Sequence, residues 1–371
     1  STLFPSLVIR KTSGIMIENL LPLSVYFTGF AVIAFAAKQM GAFFNRFKLP
    51  LISGFLFTGL IAGPYVLCLI QVEAIENLRF IDEIALAVIA FAAGNELYTK
   101  ELRDRLKSIS WIVVGQIAFT FPFSVIAILF LSDYLPFMQA MPFASRLAIA
   151  LLGGAILVAR SPSSAIAIVN ELRARGPFTK TVLGVTMIMD VVVIVLFGIN
   201  SSVADALLTS LPFNLGFVIL LVFELTASVG LGYLLYRALQ FVLATSIHQY
   251  LKTALVLGLG YGVFLFSAFL RETTHRELPF EVLIEPLLIC MIGGFLISSF
   301  SNYRDDFSRI LHQVAPAIYI LFFTLTGASL ALDILFAAWP IALALFAVRL
   351  LGIFVGSFGG GAIAKDPMQH N

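Results

Sequence analysis

The chain has 371 residues, 60% of them hydrophobic and only 12% charged, with a formal net charge of +2 at pH 7. So small an excess excludes a protein that holds nucleic acid by charge, and so few charged residues exclude an ordinary soluble domain, where about a quarter are charged. Apolar runs recur almost end to end, without the short alternation of a transmembrane barrel, so the expected fold class is an all-α, multi-pass membrane bundle.

Enzymatic and cofactor chemistry find little footing. There is no Walker sequence, no HExxH and no paired CxxC. His248, His275, His312 and His370 fall in loops or at the ends of runs, away from any nucleophile. Cys68 and Cys290 lie inside apolar runs and read as packing residues rather than a disulfide or metal pair. No cofactor is expected. The first sixteen residues form a polar lead-in, and the missing initiator Met gives the expectation of a fragment or a processed start.

In chain order, spans are expected at about 18–45, 50–70, 80–97, 109–132, 145–171, 178–200, 212–243, 251–270, 281–301, 313–332 and 338–363. Placing alternate loops on one side collects fifteen of the 23 Lys and Arg there, against six on the other, with Arg160 and Arg349 inside spans. The positive-inside rule then puts the N-terminus outside and the C-terminal end in the cytoplasm. Loops are too short to fold alone. The stretch 271–281, RETTHRELPFE, reads as a solvated external loop, and RDDFSR at 304–309 as a water-exposed cap and turn.

Within these spans, PLISGFLFTGLIAGPYV carries Gly54, Gly59 and Gly63, small residues that let helices approach closely in lipid. The glycines of GSFGGG near 356–361 read likewise. Gln116 and Glu224 are expected to hydrogen-bond between helices. The span at 145–171 is interrupted by Ala159-Arg160-Ser161-Pro162-Ser163-Ser164. Pro162 removes a backbone donor and clashes with the preceding turn, so the helix breaks or kinks here. Broken backbone at that depth is tolerated only against protein or water, and freed carbonyls with the hydroxyls of Ser161 and Ser163 offer hard oxygens to a cation. A kink whose serines bond back to the helix is the plainer alternative.

Asp190 is the sole charge between Lys180 and Asn200, in a run about long enough to cross a bilayer. A carboxylate near the midplane costs several kcal/mol, and its default reading is a proton or ion site. Arg349 lies deep in the last run. It keeps its proton, so it can neutralise and orient but not carry the transported one. Either Arg160 or Arg349 is placed to pair with Asp190.

Four segments together resemble the monovalent cation:proton antiporter superfamily, the Na⁺ (or K⁺)/H⁺ exchangers. They are FKLPLISGFLFTGLIAGPYVLCLI, IDEIALAVIAFAAGNELYTKELR, the broken 153–176 stretch followed by Asp190, and the late pair from FLISSFSNYRDDF to WPIALALFAVRLLGIF. The resemblance implies thirteen helices in two inverted repeats, with a dimerisation domain and a mobile core. Here the whole of 1–371 is one transmembrane exchanger domain: a first repeat at about 18–200, a linker helix at about 212–243 and an incomplete second repeat at about 251–363. About eleven spans are present, and the last two of thirteen are expected to lie beyond the chain.

By resemblance, Asp190 is the carboxylate that holds H⁺ or a monovalent cation in turn, Arg349 is the buried basic residue, and a homodimer in membrane lipid is expected. The chain departs from the family at Met189, where Asp, Asn or Gln is usual. It departs again at Arg160, in a crossing that usually reads A-T-D/S, and at Val185, where many electroneutral exchangers have Glu. The leading expectation is electroneutral exchange of Na⁺ or K⁺ for H⁺ by alternating access. The alternatives are an anion-coupled transporter using Arg160 and Arg349, and a non-transporting sensor or scaffold with Arg160–Asp190 as a structural pair.

Overall fold

With no water in the bilayer core, each backbone N–H and C=O of a spanning segment must be satisfied within the segment, so apolar runs of this length become helices. The computed structural model describes residues 28–96, 105–135, 137–209, 215–277 and 282–365. Its helices are α1 (28–46), α2 (Leu51–Ala62), α3 (Val72–Asn77), α4 (Arg79–Glu96), α5 (Leu106–Leu131), α6 (Phe143–Val158), α7 (Pro162–Leu172), α8 (Pro177–Thr209), α9 (Leu215–Ala244), α10 (Gln249–Glu277), α11 (Pro286–Phe300), α12 (Arg304–Ala328) and α13 (Leu332–Ala364). Among the described residues, six helices are long and apolar enough to cross a membrane, and three apolar ones are shorter. The protein is an integral, multi-pass membrane protein. Long stretches of α10 and α13 stay uncovered by protein, with Phe354 70% and Phe269 66% exposed. Such faces are aggregation surfaces in water and lipid-facing surfaces in a bilayer.

Helices fall on each expected span, with instructive differences at the edges. Residues 18–27 of the first span lie outside the described residues. The second span ends at Ala62, because Gly63-Pro64 turns the chain, and a short unforeseen helix, α3, follows. The expected loop at 271–281 is helical through Glu277, held by an i,i+4 pair between Arg276 and Glu272; residues 278–281 lie outside the described residues. RDDFSR is not a turn but the start of α12, with Asp305 and Asp306 in the first turn, where the helix dipole favours anions.

Packing divides the chain into two compact units. One comprises 1–86 with 314–334, and the other 87–313 with 335–371. In the first, Phe30, Ala62, Leu78, Ile81, Leu325 and Ala328 form an apolar core. The second carries the candidate site, and two of its apolar cores border α8. Ile109, Ile112 and Val113 of α5 meet Val158 of α6 and Val185 and Met189 of α8. Ala93 of α4, Ile166 of α7, and Leu183 and Met187 of α8 form the other, with Met291 of α11 packed against them.

Helix contact in this unit is close between α5 and α13. A Cβ on Gly115 would sit 2.3 Å from the carbonyl oxygen of Gly356, and one on Gly360 would sit 2.3 Å from that of Trp111. No side chain fits there, which is how small residues draw helices together in lipid. Gly115→Val is therefore expected to part α5 from α13 and lower the midpoint of thermal unfolding in detergent by several degrees, while Gly258→Val, which meets nothing within 4 Å, leaves it unchanged. Differential scanning fluorimetry checks both.

Candidate functional site

The break expected in the 145–171 span is present. α6 ends at Val158, α7 begins at Pro162, and residues 159–161 are not helical. Ser161 precedes Pro162 at the first position of α7, where its missing N–H is no loss. The Ser161 hydroxyl accepts from the backbone N–H of Ser164 at 3.3 Å and lies 3.2 Å from its hydroxyl, as an N-cap does. The sequence placed Ser161 as a cation ligand, and the structure gives it this capping bond. The side chains of Pro162 and Ser163 lie outside the described residues.

Asp190 stands midway along the apolar part of α8, Pro177–Ser201. Helical spacing puts Leu183, Met187 and Asp190 on one stripe, at i, i+4 and i+7. Val185 and Met189 point the other way, into the core shared with α5 and α6, where Met189 has no exposed surface at all. This accounts for Met189: its position is part of the α5–α6–α8 packing, and a hard oxygen there would be buried among aliphatic groups. Asp190 itself is half-buried and has no hydrogen-bond or ion-pair partner among the described residues.

The charge that reaches Asp190 is another carboxylate, Glu285. It was not singled out in the sequence, yet it carries the same signal as Asp190, being the one charge between Glu281 and Arg304. Glu285 is the N-cap residue of α11, at the end of the non-helical segment 282–285, and Pro286 starts the helix. The contact of Met291 with the Leu183–Met187 stripe brings α11 against this face of α8.

Neither arginine pairs with Asp190. Arg349 of α13 donates from Nη2 to the carbonyl oxygen of Ala159, the first residue of the break and the C-cap of α6. It thus ties α13 to the end of α6, satisfying a carbonyl that lost its helical donor. Arg160 and Arg349 lie close enough for their like charges to interact. Nε and Nη2 of Arg160, and Nε of Arg349, are buried without a hydrogen-bond partner. The site residues therefore form two groups, with Asp190 and Glu285 on the α8–α11 side and Arg160, Arg349 and Ala159 at the break.

The other buried polar residues behave as helix-packing groups. Gln116 donates from Nε2 to Ser357 Oγ at 2.6 Å, joining α5 to α13. Glu224 of α9 accepts from the backbone N–H of Leu283 at 2.5 Å and fixes the segment that leads to Glu285.

A helical membrane bundle with a helix broken at mid-span and an unpaired carboxylate on the next helix has the architecture of an ion antiporter. Residues 31–370 match the family described as sodium/hydrogen exchanger, transmembrane, and the chain belongs to that family. It is 23% identical over 347 residues to the probable Na⁺/H⁺ antiporter GerT of Bacillus cereus, covering 92% of this chain and 83% of that protein. The fold is that of the sodium proton antiporter MjNhaP1 of Methanocaldococcus jannaschii at pH 8, with a TM-score of 0.65 at 18% identity, over 91% of this chain and 79% of the other. A second structure of that antiporter, from electron microscopy, gives a TM-score of 0.64 at 18% identity, over 92% and 78% of the two chains.

Proposed function

We propose that the chain exchanges one monovalent cation for one proton by alternating access, with Asp190 as the group that holds either. A half-buried carboxylate without a protein partner carries this reading. It cannot stay charged and empty in a low-dielectric span at little cost, so it takes a proton or a cation. One carboxylate holds one or the other, and that competition couples the two fluxes with no energy source beyond the gradients. Na⁺ is the favoured cation, since the antiporters that the chain is similar to are named for sodium.

Arg349, through its bond to Ala159, keeps the broken helix in register while the core moves. We further infer a homodimer, and an N-terminus outside with the C-terminal end in the cytoplasm.

In proteoliposomes with an internal pH dye, an imposed Na⁺ gradient is expected to drive proton movement, unaffected by a potassium diffusion potential. Flux driven by an anion gradient and indifferent to Na⁺, K⁺ and Li⁺ would instead establish the anion-coupled reading, which the unpartnered nitrogens of Arg160 (Nε, Nη2) and Arg349 (Nε) favour.

A further inference from the structure

Arg160 faces a cavity of about 500 Å³ between α5, the first turns of α8, and α13. Its inner end is polar, with Arg160 and with Gln116, whose Oε1 is buried and unpartnered. Val185 lies along its wall, and Phe178, Phe354 and Phe358 are also among its lining residues. Those three aromatic rings are 51%, 70% and 50% exposed and belong to the surface that meets lipid.

The depth of each part follows from helix position. Phe178 is the second residue of α8, and Phe358 lies six residues before the end of α13, about 9 Å at the helical rise. Gln116 is ten residues into α5, about 15 Å from its start. The cavity therefore runs from near the helix ends into the bundle and is bordered on the lipid side by aromatic rings.

The charge at its inner end is unbalanced. Arg160 interacts with the like charge of Arg349, and three of their guanidinium nitrogens are buried with nothing to donate to. A buried cation without a counter-charge is costly, and a guanidinium matches a phosphate in shape as well as in sign. Just before α8, Arg173 and Arg175 are exposed near Phe178. Basic residues at a membrane edge, leading to a basic pocket between helices, are the arrangement that recruits anionic headgroups.

We propose that this cavity is a binding site for an anionic glycerolipid, with its phosphate on Arg160, a headgroup hydroxyl on Gln116 Oε1 and the upper part of an acyl chain against the phenylalanines. The lipid would be a resident counter-ion for the broken helix rather than cargo, so the assignment does not depend on exchange activity. Val185 is the wall position from which a protein carboxylate would make the lipid redundant.

The test is thermal unfolding of the purified chain in detergent, with added phosphatidylglycerol, phosphatidylcholine or inorganic phosphate, together with native mass spectrometry. Phosphatidylglycerol is expected to raise the midpoint by about 3–5 °C and to remain bound one per chain, while phosphatidylcholine and inorganic phosphate do neither. Arg160→Gln is expected to remove the increment. Should that variant fail to fold, Val185→Glu decides: it is expected to unfold at a higher temperature without lipid and to respond to phosphatidylglycerol less than a tenth as strongly. Equal stabilisation by both lipids, an equal effect of inorganic phosphate, or a full increment retained in Arg160→Gln or Val185→Glu would each overturn the proposal.

Discussion

Asp190→Asn is expected to reduce cation-driven proton flux at least a hundredfold while leaving the protein inserted and stable. Asn keeps the shape of the side chain and loses the ability to trade a proton for a cation. Asp190 has no hydrogen-bond or ion-pair partner among the described residues, so the substitution severs nothing. It also removes one of two carboxylates whose charges interact. Exchanging a buried, unneutralised charge for a neutral group is neutral or favourable to folding, in contrast to breaking a pair. The unfolding midpoint should therefore hold or rise as transport disappears. Fluorescence dequenching in proteoliposomes, with a melting curve on the same preparation, reads both. Wild-type flux in this variant would remove Asp190 from the carrier role, and a collapse of the melting curve would make it a structural residue instead.

Much of this site was legible in the chain because membranes make charge conspicuous. Asp190 announces itself as one acid in a long apolar run, and Pro162 as a helix breaker flanked by serines. Both signals are local, and the structure has a break at 159–161. Direction was not legible. That Met189 packs into the α5–α6–α8 core while Asp190 shares a stripe with Leu183 and Met187 depends on which helices surround α8. Ser161 illustrates the same limit: a hydroxyl beside a break suits a cation ligand and an N-cap equally, and the 3.3 Å bond from Ser164 N–H is visible only in three dimensions.

The pairing of Arg349 with a backbone carbonyl rather than with Asp190 is likewise a matter of reach that spacing cannot give. Helix ends at Glu277 and Arg304 were misplaced because hydrophobicity marks where lipid stops, whereas helices continue into water when i,i+4 pairs and favourable dipole charges sustain them. Glu285 carries the same signal as Asp190, one acid in an apolar run, but the more polar 271–281 stretch just before it masks that signal.

Glu285 carries the second large effect, because it bears on how many charges move per cycle. Its carboxylate interacts with that of Asp190, and the residue stands at the N-cap position of α11. Two acids in reach of one another permit two schemes. In the first, Asp190 alone changes its load and Glu285 stays fixed, adding a negative field that holds the cation. A unit charge at close range with an effective dielectric of about 20 is worth on the order of 1–3 kcal/mol. Glu285→Gln should then raise the KM for Na⁺ about tenfold and leave kcat and electroneutrality intact. In the second, Glu285 also loads and unloads, two protons move per cation, and wild-type exchange responds to an imposed membrane potential.

The location of Glu285 favours the first scheme. It stands at the N-cap position of a helix, where the dipole favours a fixed negative charge, and the lead-in segment is pinned by the bond from Leu283 N–H to Glu224. Proteoliposomes clamped with valinomycin separate the two. We expect wild type and Glu285→Gln to be equally insensitive to potential, differing only in Na⁺ affinity. A potential-driven wild type that becomes insensitive in Glu285→Gln would show that both carboxylates are carriers, and the one-for-one exchange would give way to an electrogenic cycle.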